Sequence, residues 1–264
     1  DIEDNDAQRY GESTLHAEHG VPVALNVGDL LIGEGYRLLA DSDVDPKLRA
    51  AMLKVAAEGQ RELCRGQGAE LLWNNHPVAL SSKQVLEIFR SKTAPAFEVA
   101  LKVGAAFTGK LDDVATELQA YSEALGIAYQ IRDDLDDLGD DSATDTNVTI
   151  RPSIILALLR ERGEGEVADT MEKLWSGTCE VQPDRATIRN WALDSGAHEK
   201  AMLQLESYKE AAIRSLQSVD NANLKGLLRR VIGKIFNDLE IKGWCREFEV
   251  KNAPAAESAE ALAA

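Results

Sequence analysis

Apolar and small residues recur every three or four positions through almost the whole chain, and no stretch alternates convincingly between apolar and polar residues. Spacings of three and four place side chains on one face of an α-helix, whereas a half-buried strand requires strict alternation. The pattern therefore predicts an all-α protein. With no long internal linker, we expect one helical domain over residues 1–251, followed by a flexible, low-complexity tail at 252–264.

Helix start and stop signals divide the domain into segments. Ser81 or Ser82 can cap a helix, and Gly66 and Gly68 are expected to end one. Pro95 predicts a kink. The predicted helices are 24–39, 46–64, 83–108, 111–139, 152–162, 165–175, 184–217 and 221–247, with a polar turn at 140–151.

Composition restricts the classes of partner and compartment. The net charge of −16 argues against nucleic acid, whose phosphates require a basic surface. The three cysteines form no CxxC pair, which favours free thiols in a reducing cytoplasm. No apolar run approaches the roughly 20 residues of a membrane span, so no transmembrane segment is predicted.

The stretch IRDDLDDLGDD at 131–141 places six aspartates in eleven positions. Like charges one turn apart on a helix repel by about 0.2–0.5 kcal/mol per pair. At 100° per residue, Asp133, Asp134 and Asp137 fall within one arc of about 100°. The opposite side carries the apolar residues Ile131, Leu135 and Leu138. One face is therefore expected to pack into the core while the other gathers carboxylates.

A solvated acidic face is the common alternative for such a cluster. Surface helices usually mix charges, yet no basic residue lies between Arg132 and Arg151. Hard cations prefer oxygen ligands, and Mg²⁺ typically takes one or two carboxylates together with substrate phosphates. The spacing does not fit a calcium-binding EF-hand loop. We therefore expect Mg²⁺ and a phosphate-bearing substrate.

The first residues, DIEDND, supply a second acidic set. On a helix Asp1 and Asp4 lie one turn apart and share a face. Alone, this set would be typical of a solvated terminal segment. Facing the aspartate helix across an interior cavity, the two sets would hold Mg²⁺ ions between two walls and bind both ends of a diphosphate.

The stretches DIEDNDAQRYGESTLHAEHGVPVALNVGD, SKTA at 91–94 and YQIRDDLDDL at 129–138 resemble the trans-isoprenyl diphosphate synthases (polyprenyl synthetases) in order and spacing. The family's two aspartate-rich motifs each read DDxxD. The second is complete here as Asp133, Asp134 and Asp137. The first begins at its second aspartate, which leaves Asp1 and Asp4 and implies that the family's N-terminal helices precede this sequence.

The resemblance implies an isoprenoid synthase-type helical bundle around a central cavity, and a homodimer. The implied reaction is Mg²⁺-dependent condensation of an allylic diphosphate with isopentenyl diphosphate. The implied metal ligands are Asp1, Asp4, Asp133, Asp134 and Asp137. The implied substrate-binding residues are Arg9, Gln67, Lys92, Thr93 and Gln130, of which Lys92, Thr93 and Gln130 are expected to be catalytic.

The sequence departs from the family at three places. Tyr10 replaces an arginine that holds isopentenyl diphosphate in the family, Glu70 replaces an aspartate after Gln67, and the loop 138–151 lacks the usual lysines. Two alternatives stay open. A class I terpene cyclase ionises the same leaving group but usually carries a different second metal motif. A non-catalytic subunit would explain Tyr10 and the lysine-free segment.

Overall fold

The computed structural model describes residues 1–3, 5–139 and 151–238. Within them lie ten helices and one short hairpin, so the all-α prediction is confirmed. The elements are β1 (Gln8–Arg9), β2 (Glu12–Ser13), α1 (Leu15–His19), α2 (Val21–Ala40), α3 (Pro46–Asn75), α4 (Ser82–Phe107), α5 (Leu111–Gly139), α6 (Ile154–Arg162), α7 (Glu166–Trp175), α8 (Arg185–Asp194), α9 (Ala197–Ser215) and α10 (Ala222–Ile235).

The predicted helices agree best with the structure where a capping signal marks the boundary. Helix α5 has the predicted limits, and α4 begins after Ser81, whose side chain forms a capping box with Gln84. The predicted end at Gly66 is wrong, because α3 continues to Asn75. A Cβ atom at Gly66 would lie 2.2 Å from the carbonyl oxygen of Ser91. This glycine therefore permits close packing of α3 against α4 rather than ending a helix.

Two further predictions of helical structure are wrong. The segment 184–217 is not one helix, because Gly196 adopts a φ of 72° between α8 and α9. Among the described residues before Leu15 none is helical, so Asp1 does not lie on a helix. Tyr10 and Gly11 have φ values of 54° and 82°. Two successive positive φ values are those of a two-residue hairpin turn, and they exclude a right-handed helix.

Helix α5 packs on the core through its predicted apolar face, the one opposite the aspartates. Ile131 and Leu138 are buried, and Leu135 packs partly buried against the same hydrophobic cluster. Gly126 allows α4 to approach, since a Cβ there would lie 2.7 Å from the backbone nitrogen of Ala94. Helix α6 is buried over Ile154–Leu159. The aspartate end of α5 is therefore fixed between α4 and α6.

None of the described helices is both long and apolar enough to cross a membrane. The predicted polar turn lies almost entirely outside the described residues, as does the predicted flexible tail.

Candidate active site

A cavity of about 470 Å³ lies where the N-terminal segment meets α3, α4, α5 and the first turns of α6 and α8. The charged residues around it include Glu3, Asp6, Lys92, Asp137, Arg151 and Arg185. The two acidic segments therefore face one cavity. From the N-terminal segment, however, it is Glu3 and Asp6 that line the cavity, and Asp4 lies outside the described residues.

Asp134 is the most buried carboxylate of the aspartate helix, with 2% of its side chain exposed. Its Oδ2 accepts a hydrogen bond from the backbone N–H of Ile154 at 2.6 Å, and its Oδ1 accepts one from Arg151 at 3.0 Å. Burial raises the pKa of Asp134 to about 6, against the lowering effects of Arg151, the Ile154 N–H and Ser153. Both oxygens of Asp134 therefore hold the beginning of α6.

Arg151 pairs with two carboxylates of the aspartate helix through a single nitrogen. Its Nη2 lies 3.0 Å from Asp134 and 2.5 Å from Asp137. Burial opposes the charge on Arg151, but the two carboxylates outweigh this effect and raise the pKa of the guanidinium. Asp133 pairs instead with Arg132 at 2.9 Å and does not line the cavity. Each aspartate of the complete motif therefore has a positively charged neighbour.

Lys92 lies on α4 and points its ammonium group toward α3. Its Nζ is 2.6 Å from Oε2 of Glu70, a carboxylate whose side chain is 8% exposed. Both residues line the cavity. The buried Glu70 holds this lysine at the cavity wall, while 23% of the lysine side chain stays exposed. Gln67, one turn earlier on α3, is partly buried and is not among the residues that line the cavity.

Gln130 and Thr93 contact each other across the α4–α5 packing surface. The Gln130 side-chain amide donates to the Thr93 hydroxyl at 2.9 Å. This contact depends on the close approach at Gly126, one helical turn before Gln130. The structure therefore brings these two predicted site residues together, and Thr93 directly follows Lys92 in the sequence.

Arg9, a predicted substrate-binding residue, and Tyr10, which replaces the family's isopentenyl-binding arginine, lie at the N-terminal hairpin. Arg9 pairs with Asp1 at 2.6 Å, and its guanidinium lies 5.9 Å from the centre of the Tyr10 ring. Tyr10 is 97% exposed at the hairpin turn. The predicted metal ligand Asp1 therefore has a cationic partner, as the aspartates of α5 do.

The donor set suits a hard divalent cation. Carboxylates face the cavity from both walls, and Mg²⁺ needs only one or two of them when phosphate oxygens supply the rest. A cation already lies between Asp134 and Asp137, in the form of the Arg151 guanidinium. Among the described residues, no group of three or more His, Cys, Asp or Glu side chains is arranged to hold a metal by itself. The carboxylate oxygens on the cavity walls would hold Mg²⁺ only together with other ligands, such as the oxygens of a phosphate.

Several residues around the cavity have no site role predicted from the sequence. Arg185 follows Asp184, which caps α8 through the backbone N–H of Thr187 at 2.8 Å. The predicted helix start at 184 agrees with this cap, but a local signal does not give the position of α8 beside α5. Arg189, one turn later, donates to the carbonyl of Leu138 at 3.0 Å. Helix α8 therefore caps the aspartate helix and places Arg185 at the cavity.

Comparison with known sequences determines the family. The sequence profile described as polyprenyl synthetase matches residues 1–149, more than half of the 264 residues. The chain belongs to the polyprenyl synthetase family. A geranylgeranyl pyrophosphate synthase from Geoglobus acetivorans is 27% identical over 234 residues, which cover 86% of this chain and 71% of that protein. A short chain isoprenyl diphosphate synthase from Methanocaldococcus jannaschii is 30% identical over 138 residues, covering 52% of this chain and 41% of that protein.

Solved structures of family members share the fold. The geranylgeranyl pyrophosphate synthetase of Geoglobus acetivorans superposes with a TM-score of 0.74 at 24% identity, over 89% of this chain and 74% of that one. A decaprenyl diphosphate synthase from Rhodobacter capsulatus gives a TM-score of 0.75 at 21% identity, over 89% and 72%. This sequence spans 76% of the length of a geranylfarnesyl diphosphate synthase from Aeropyrum pernix and 37% of the length of a farnesyl diphosphate synthase from Mycobacterium bovis.

Proposed function

We propose that the whole protein condenses an allylic diphosphate with isopentenyl diphosphate to make a longer polyprenyl diphosphate, in a Mg²⁺-dependent reaction. The observation that carries this proposal is the cavity, where Lys92 and the α5 carboxylates face the acidic N-terminal segment. The combination of fixed cations and carboxylates suits a diphosphate with its metal ions. Family membership supports the same class of reaction.

In the proposed reaction, the C–O bond between the allylic carbon and the diphosphate breaks. The double bond of isopentenyl diphosphate forms the new C–C bond, and a proton leaves to the released diphosphate. Bound Mg²⁺ would neutralise the charge of the departing diphosphate. Its proposed ligands are Asp1, Asp4, Asp133, Asp134 and Asp137.

The protein's own residues position and stabilise the leaving group. Lys92 binds a diphosphate oxygen, and its buried partner Glu70 fixes its direction. Thr93 adds a hydroxyl donor, oriented by Gln130. Fixed donors of this kind stabilise developing negative charge because they need no reorganisation during the reaction. Arg9 and Gln67 stay predicted substrate contacts.

We further propose a homodimer in which a second copy covers α2. The exposed apolar side chains of this helix include Leu25, Leu30, Leu31 and Leu38, each at least 55% exposed. Several large apolar side chains exposed on one helix favour a protein–protein interface there. The cytoplasmic location stays a prediction that rests on the cysteine pattern.

A non-catalytic subunit is the second candidate. It is favoured by Tyr10 in place of an arginine and by Arg151, whose guanidinium pairs with two carboxylates of the complete motif. The complete second DDxxD motif disfavours a terpene cyclase.

The deciding experiment incubates the full-length protein with labelled isopentenyl diphosphate, an allylic diphosphate and Mg²⁺. The expected product is a prenyl diphosphate longer than the allylic substrate. Lys92→Gln should reduce turnover strongly. The matched control Lys110→Gln removes an exposed lysine that pairs with Asp113, outside the cavity, and should not reduce turnover.

A cyclic hydrocarbon would indicate a cyclase. Product formed only after a catalytic homologue is added would indicate a non-catalytic subunit. If no product forms with or without the homologue, prenyl transfer is refuted.

A further inference from the structure

Arg151 occupies the position between the carboxylates of Asp134 and Asp137. Both contacts are made by Nη2, at 3.0 Å and 2.5 Å. A guanidinium carries five N–H donors in a rigid planar fork, whereas a metal ion accepts electron pairs from the same oxygens. A divalent cation and this guanidinium therefore compete for the same carboxylate oxygens.

The two carboxylates differ in how easily they can change partners. Asp134 is 2% exposed and also accepts the Ile154 N–H, so it is fixed by the first turn of α6. Asp137 is 65% exposed, and the Arg151 side chain is 36% exposed at the cavity. The contact between Arg151 and Asp137 is thus the part of this arrangement that a ligand in the cavity can reach.

We propose that Arg151 is a resident counter-ion of the aspartate helix that couples metal binding to diphosphate binding. Without ligand it neutralises Asp137 and opposes a divalent cation there. When Mg²⁺ and a diphosphate enter together, the metal takes the Asp137 carboxylate and the guanidinium turns to a phosphate oxygen. The inference rests on the proposed function, since it assigns a role to Arg151 at the same site.

The two halves of this role predict effects of opposite sign. Loss of the guanidinium frees Asp137, so the affinity for Mg²⁺ alone should rise. Loss of a phosphate contact should lower the affinity for diphosphate at saturating Mg²⁺. A charge-assisted hydrogen bond corresponds to a change of about ten- to a hundredfold in a dissociation constant. A residue that only stabilises the fold would weaken both interactions when it is replaced.

The test measures two dissociation constants by calorimetry on the full-length protein and on Arg151→Gln. The first is for Mg²⁺ alone, at constant ionic strength maintained with NaCl, so that general screening is excluded. The second is for inorganic diphosphate at saturating Mg²⁺. We expect Arg151→Gln to bind Mg²⁺ at least about tenfold more tightly and diphosphate at least about tenfold more weakly.

Arg160→Gln is the matched control. It removes the same charge from α6, the helix that follows Arg151, where Arg160 pairs with Glu172 at 2.7 Å, and it should change neither constant. If Arg151→Gln does not fold, as judged by circular dichroism, Arg151→Lys replaces it. An ammonium is a compact, strongly hydrated charge without the planar fork, so both constants should shift in the same directions by less.

Unchanged or weaker Mg²⁺ binding in the Arg151 variant would overturn the inference, as would unchanged diphosphate binding. Neither measurement involves turnover. Opposite shifts in a protein that transfers no prenyl group would support this role for Arg151 and refute the proposed function. An active enzyme that lacks these shifts would support the proposed function and refute this role for Arg151.

Discussion

The backbone N–H of Ile154 donates to Oδ2 of Asp134 across 20 residues of chain, at 2.6 Å. The middle aspartate of the motif therefore also holds the first turn of α6, whose residues Ile154–Leu159 are all buried. Unpaired N–H groups at a helix start need an acceptor, and Asp134 supplies one from another helix. The carboxylate thus links the site to the core, independently of any ligand.

Asp134→Ala should lower the free energy of unfolding by about 1–3 kcal/mol, because it leaves the buried Ile154 N–H without its acceptor, while Arg151 keeps its pair with Asp137. Asp136→Ala is the control, since Asp136 is 71% exposed and pairs with Arg132 at 3.4 Å. It should cost no more than about 1 kcal/mol. Urea unfolding of both variants measures the difference. Equal losses would show that Asp134 has no special structural role.

The free energy of unfolding should depend on pH through the titration of Asp134. Its folded-state pKa is about 6, above the value of about 3.9 expected in the unfolded chain. The folded protein therefore binds the proton more tightly, and this contribution to stability is present at low pH and lost as the pH rises through about 6.

The free energy of unfolding in urea is measured for wild type and Asp134→Asn at several pH values between about 4 and 6. The stability of wild type relative to the variant should fall as the pH rises. A relative stability that rises instead would mean that Arg151 and Ile154 hold the carboxylate ionised throughout.

Local signals predicted the helices of the site better than they predicted the site itself. Capping at Ser81 and the apolar face through Ile131 located α4 and α5, because both signals act within one helix. The pairing of Arg151 with Asp134 and Asp137 joins the beginning of α6 to the end of α5. A helical wheel gives the direction of a side chain but not the partner that it meets, so this contact was not predictable.

Gly126→Ala should loosen the contact between α4 and α5. The new methyl group would lie 2.7 Å from a backbone nitrogen of α4, at Ala94, and cannot be accommodated by a rotamer change. Overpacking of this kind costs about 1–3 kcal/mol. Because Thr93 and Gln130 meet at the same surface, diphosphate affinity should fall as well.

The control is Gly104→Ala in α4, where a Cβ atom meets no other atom within 4 Å. Alanine is the better helix former, so this change should raise stability by about 0.5–1 kcal/mol. Thermal unfolding of both variants should therefore give shifts of opposite sign. A Gly126→Ala protein as stable as wild type would show that the helices can separate without cost.

The last prediction concerns Tyr10, which is 97% exposed at the turn of the hairpin where the family usually carries an arginine. A charge-assisted contact to phosphate is worth about 1.5–3 kcal/mol. Tyr10→Arg should therefore lower the KM for isopentenyl diphosphate by roughly ten- to a hundredfold and leave the KM for the allylic substrate nearly unchanged. Steady-state kinetics of the full-length protein with each substrate varied in turn measures both constants.

Leu203→Arg adds the same charge to an exposed position of α9 that does not line the cavity, and should change neither. If Tyr10→Arg leaves the isopentenyl KM unchanged, another basic residue has taken over the contact, and Arg185, which lines the cavity from α8, is the next to replace.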